Sequence, residues 1–122
     1  MVEILIAVAF LGVCAVSILD AVFSANGQAS YAARRNLVVN VLKNEIEATR
    51  GLAANGTLVE RSSSRNVSVA GVPSTVAINL TVSLQSGSTT LYDVGVRAEW
   101  QDETSVETRT ESVTLKTVVR QP

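Results

Sequence analysis

The first nineteen residues of this 122-residue chain are almost wholly apolar, and the one charge among them, Glu3, sits where lipid would be. Few structures accept such a stretch. It is apolar on every face, so it has no polar side to turn toward water while another side meets a core. Residues 4–19 form sixteen uncharged positions that reach ~24 Å as a helix at ~1.5 Å per residue. Met1, Val2, Ala21, Val22 and Phe23 lengthen the run toward the ~30 Å of a bilayer core. A secretory signal peptide would open on basic residues, whereas position three here is acidic. A carboxylate in lipid is expensive and is expected to face a partner rather than hydrocarbon. Residues 1–23 are therefore expected to anchor the chain in a membrane and to pack later against copies or relatives of themselves.

The rest of the chain differs in charge and composition. Residues 24–122 hold all ten Lys and Arg and nine of the eleven Asp and Glu, which leaves this part near neutral, at +1. No strong field draws nucleic acid to it, so nucleic acid is not an expected partner. There is no His, and the one Cys, Cys14, lies inside the apolar run. This rules out an intrachain disulfide, and in residues 24–122 a Cys/His metal site or thiol catalysis. No nucleophile–base set, phosphate loop or acid/base carboxylate pair is recognisable, so no enzyme, cofactor or metal centre is expected.

Lesser features have plain readings. Asp102, Glu103, Glu107 and Glu111 lack the tight spacing of a calcium loop, and Arg109 interrupts them. A solvated hairpin is expected there. Arg61 and Arg65 flank three serines without interleaved aromatics, which reads as a mobile loop rather than a phosphate contact. Sequons begin at Asn55, Asn66 and Asn79, as chance allows in a chain rich in Ser and Thr.

Periodicity divides the chain into one helix and a sheet. Leu37, Val38, Val41, Leu42 and Ile46 follow helical spacing, with Glu45 and Thr49 as polar exceptions on that stripe. Arg34, Arg35, Lys43, Glu47 and Arg50 mark the wetter side, with Lys43 and Glu47 paired four residues apart. Gly51 or the Ala-Asn-Gly of residues 54–56 should end the helix. One helix is thus expected from near residue 1 to about 52, with residues 29–52 as its amphipathic half. Asn26 and Gly27 are its weak point, where a kink or local melting is expected. Residues 57–120 read as strands. Val76, Ile78, Leu80 and Val82 alternate with polar neighbours, as do Tyr92, Val94, Val96, Ala98 and Trp100, and then Val113, Leu115, Thr117 and Val119. Residues 66–69 form a weaker strand, and residues 101–105 a polar loop. A sheet this small needs a cover, and only the amphipathic half of the helix is available. The fold class expected is α+β, a long amino-terminal helix on a three- or four-stranded antiparallel meander. Its core is expected to be Val38, Leu42 and Ile46 against Ile78, Leu80, Val82, Val94, Val96, Trp100, Val113 and Leu115.

The opening Met1-Val2-Glu3-Ile4-Leu5-Ile6-Ala7-Val8-Ala9 resembles the amino terminus of type IV pilins and pseudopilins. There, a basic leader ending in Gly precedes an aromatic residue, a Ser or Thr, two apolar residues and Glu. The match is to that motif without its leader and first two mature residues, so the sequence is expected to be shortened at that end. Gly12 matches a glycine of the family's apolar run, and residues 33–47 are similar to the second helical half of minor pilins and secretion pseudopilins. The resemblance implies a pilin-like fold with residues 1–23 as membrane and filament-core helix and residues 24–122 as the globular domain. It implies a structural subunit of a type IV pilus or, as the alternative, a type II secretion pseudopilin. Its partners would be other pilin or pseudopilin subunits and an inner-membrane assembly platform. The chain would wait in the inner membrane, then move to a surface pilus or periplasmic pseudopilus. Glu3 would pair with the amino-terminal ammonium of a neighbouring subunit and set register. A different class, a membrane-tethered β domain that binds a ligand without assembling, fits the same layout.

Overall fold

The computed structural model describes residues 2–103 and 108–122. A single helix, α1 (Val2–Ala54), precedes four strands: β1 (Arg61–Val67), β2 (Val76–Leu84), β3 (Leu91–Glu103) and β4 (Thr108–Arg120). The strands form one antiparallel sheet in the order β1-β2-β3-β4, so each strand lies beside its neighbour in sequence. The fold is α+β, a long helix with its later half packed on a four-stranded meander. The chain divides into two compact units, Met1–Ala33 and Arg34–Pro122.

Within the second unit, α1 buries Val38, Leu42, Ile46, Thr49 and Ala53. These recur at three- and four-residue intervals, which places them on one face of the helix. They meet Val76, Ile78, Leu80 and Val82 of β2, Val94, Val96, Ala98 and Trp100 of β3, and Val113 and Val119 of β4 in one core. Leu115 packs against it half-buried. The core expected from periodicity is present, enlarged by Leu58, Val69 and Val72 from the connections.

The helix ends on a glycine in the left-handed region. Gly56 has φ +69°, its N–H reaches the carbonyl of Ala53 (2.9 Å), and the N–H of Thr57 reaches that of Leu52 (3.0 Å). This is the Schellman pairing, which satisfies carbonyls the helix would otherwise leave open. Gly87, at φ +81°, supplies the same freedom to the turn between β2 and β3, closed by Ser88 N–H to the carbonyl of Gln85 at 3.0 Å.

Helix α1 includes Asn26 and Gly27, where a kink or local melting is expected from sequence. One glycine costs ~1 kcal/mol, whereas interrupting an established helix forfeits several bonds and requires a second nucleation. The serine-rich stretch after Arg61 is not a loop but strand β1, paired residue for residue with β2 from Arg61↔Val82 to Val67↔Val76. Residues 101–103, expected in a polar loop, are strand, since β3 continues to Glu103. The rest of that expectation, residues 104 and 105, lies outside the described residues.

Candidate functional site: an uncovered apolar helix and the clamps beside it

In the first unit the large apolar side chains stand exposed. Every large one from Val2 to Phe23 is 50% to 72% exposed, whereas Val38 and Leu42 on the same helix are at 0%. The segment is long and apolar enough to cross a membrane, with a mean hydropathy of 2.7 over its best eighteen residues, none of them buried. The helix itself satisfies its backbone, as hydrocarbon requires. Ser17 donates its hydroxyl to the carbonyl of Val13 at 2.9 Å, so this polar side chain is also satisfied locally.

Glu3 lies in the first turn of α1, where the amino-terminal end of the helix dipole favours a carboxylate. A side chain built at Gly12 would meet nothing within 4 Å, and the same holds at Gly27. Among the described residues, no neighbour and no left-handed backbone requires glycine at either position. On the helix surface Gly12 leaves a notch of the kind that lets a second helix approach closely. Cys14, half-exposed, sits two residues further along.

The second unit holds its helix on the sheet through ion pairs as well as apolar contact. Arg34 pairs with Asp102, and Asp102 is 5% exposed. The wetter side assigned to Arg34 and the solvated hairpin assigned to Asp102 are thus both corrected. The signal was in the alternation: Asp102 continues the inward series of Val94, Val96, Ala98 and Trp100 by one further step of two. Arg109 lies opposite Asp102 in the register and Glu111 opposite Trp100, so four charged positions gather at this end of the inward face. Of the other acids in that stretch, Glu107 and the side chain of Glu103 lie outside the described residues. The second clamp joins Arg65 of β1 to Glu45 of the helix. It accounts for the polar exception at Glu45, because the register turns Arg65 to the same face as Ile78. Thr49 is the other exception, and it satisfies itself by donating to the carbonyl of Glu45 at 2.8 Å. Glu47 bonds Arg50 at 2.6 Å rather than the expected Lys43.

Trp100 is in the core, 2% exposed, as its alternation implies. Its indole N–H has no hydrogen-bond partner among the described residues. The outward face of the sheet is polar. It carries a hollow of about 650 Å³ whose lining includes Gly95, Asn79, Thr81, Arg97 and Lys116. Among the described residues, no cluster of His, Cys, Asp and Glu is arranged to hold a metal ion.

Protein-family models, curated proteins and solved structures offer no match to this chain. A long apolar helix followed by a small antiparallel sheet is compatible with a pilin-like subunit.

Proposed function

We propose that this chain is a structural subunit of a pilin-like filament, inserted in a membrane through the first half of α1 before assembly. The observation that carries the reading is the exposure of every large apolar side chain from Val2 to Phe23 on the helix whose later half forms the core of a β domain. The core helix of a globular domain would bury such residues within its own chain. Twenty-two residues of helix span about 33 Å, enough for a hydrocarbon core. That surface needs lipid or other helices as its cover, and a subunit that moves from membrane to filament uses each in turn.

In this mechanism the cost of Glu3 in hydrocarbon falls when a cationic group of a neighbouring subunit meets it, because a buried pair recovers much of the desolvation penalty of one charge. Gly12 admits the neighbouring helix. The β domain stays at the periphery and contacts adjacent subunits and the membrane platform that supplies energy for extraction. Whether the filament is a surface pilus or a secretion pseudopilus depends on that machinery.

The test is assembly in the host cell. A Glu3→Ala subunit should remain in the carbonate-resistant membrane fraction at normal level but fall at least tenfold in sheared filaments, with Cys14–Cys14 crosslinks lost in parallel. Incorporation at the normal level would refute the role of Glu3. Wild-type chains that stay in the membrane without crosslinking or forming filaments would identify a tethered β domain instead.

A further inference from the structure

The two edges of the sheet are built differently. β1 is short, at seven residues, and its inward positions include Arg61 and Arg65, with Arg65 clamped to Glu45. Inward charges on a short edge are a common guard against strand pairing. β4 has thirteen residues, contains no proline, and pairs one-for-one with β3 from Leu91↔Arg120 to Glu103↔Thr108 without a bulge. Among the described residues, no strand pairs with its other side.

The register shows which backbone groups that side presents. Gln121 N–H donates to the carbonyl of Thr90 at 2.8 Å, one step beyond Leu91↔Arg120. In an antiparallel ladder bonded pairs alternate with unbonded ones. Odd-numbered residues of β4 therefore bond inward to β3, and Thr110, Ser112, Thr114, Lys116 and Val118 aim their N–H and C=O groups at the open edge. Beside that edge runs a groove of about 450 Å³ lined by Lys43, Ile46, Arg50, Leu115, Lys116 and Thr117. Leu115 and Thr117, on the inward face, are only half-buried, so α1 leaves this margin of the core unsealed.

Charge selects the occupant. Lys43, Arg50 and Lys116 border the groove, and its one acid, Glu47, already bonds Arg50. β4 carries Arg109, Lys116 and Arg120 against Glu111. A second copy of this chain would have to offer β1, with two arginines and no acid, or β4 itself. Either is net basic, as the groove is, and complements it poorly. Opposite Lys116 stands Gly95, so no cross-strand side chain confines the lysine.

We propose that the open edge of β4 is a docking site for an extended acidic segment of a different protein. The segment would add as a fifth strand, its carboxylates toward Lys116 on the outward face and its apolar side chains against Leu115 on the inward one. The backbone ladder supplies affinity and the groove supplies selectivity. The site stands whether or not the chain assembles into a filament.

The experiment uses the full chain in detergent micelles and a fluorescein-labelled nine-residue peptide of alternating Glu and Val, with a Lys-and-Val peptide as control. The acidic peptide should bind saturably. It should slow amide exchange at Ser112, Thr114, Lys116 and Val118, but not at Val113 and Leu115, which already bond β3. Thr114→Pro removes one outward N–H and no β3 bond, and it should weaken binding at least tenfold with an unchanged melting temperature. Lys116→Glu, which leaves the backbone intact, should also weaken it at least tenfold. Equal binding of the basic peptide, undiminished binding by both variants, or protection at other amides would overturn the proposal. So would self-association of the full chain that Thr114→Pro abolishes, because the occupant would then be a second copy.

Discussion

The two halves of α1 obey opposite rules. Residues 2–23 are the more hydrophobic, yet their large apolar side chains stand exposed. Residues 34–54 carry Arg, Lys and Glu, yet their stripe of Val38, Leu42, Ile46, Thr49 and Ala53 is the helical side of the core. Apolar content alone therefore does not locate the core. A core needs an amphipathic surface with a matching partner, and the sheet is a partner for one face only. Where every face is apolar, one small sheet leaves most of the surface uncovered, and the segment requires an apolar medium instead.

That contrast predicts a graded series. The largest effect should come from Leu42→Ala, at a site with 0% exposure, costing about 2–5 kcal/mol for the lost burial and the cavity. Leu11→Ala removes the same atoms from the uncovered half and should leave unfolding of the β domain unchanged. Urea denaturation in micelles, read through Trp100 fluorescence, measures both. If Leu11→Ala matched Leu42→Ala, the first half would belong to the core after all.

Next comes the clamp at the start of the second unit. Asp102→Ala leaves the Arg34 guanidinium half-buried without its carboxylate, which should cost about 2–3 kcal/mol. An Arg34→Met/Asp102→Leu double variant should recover most of that loss. A double variant no better than the single one would mean that the charges, not the contact, hold the helix there. Gly56→Ala should be smaller, about 1 kcal/mol, because an alanine must then adopt φ +69°. Thermal melts of unit two should register it, and a neutral result would remove the cap from the account. Smallest of all on the β domain is Gly27→Ala. It should strengthen the helix locally by up to ~1 kcal/mol without moving the unfolding midpoint. Slower amide exchange at residues 24–28 would show it, and a shifted midpoint would couple the halves.

Most of the fold is readable in the sequence because the periods are clean. Val76 to Val82 alternate strictly, and Leu42 and Ile46 keep helical spacing. The errors have a common physical origin. β1 and the end of β3 are strands whose inward positions hold Arg61, Ser63, Arg65 and Asp102, residues that composition assigns to loops. Their placement follows from backbone pairing with β2 and β4, and the charges of Arg65 and Asp102 are met by Glu45 and Arg34, partners distant in sequence. A single strand read alone contains no sign of such partners. The assembly role proposed for Glu3 and Gly12 is a question about other molecules, which the sequence of one chain does not contain.

The order of synthesis follows from the topology. The stripe of Val38, Leu42 and Ile46 leaves the ribosome before any strand exists, and Val119 near the end of β4 is among the last residues to join it. At typical elongation rates, that gap lasts roughly 4–15 s. During this interval both halves of α1 are unshielded, and the nascent chain must be held by something else in the cell until its own sheet arrives.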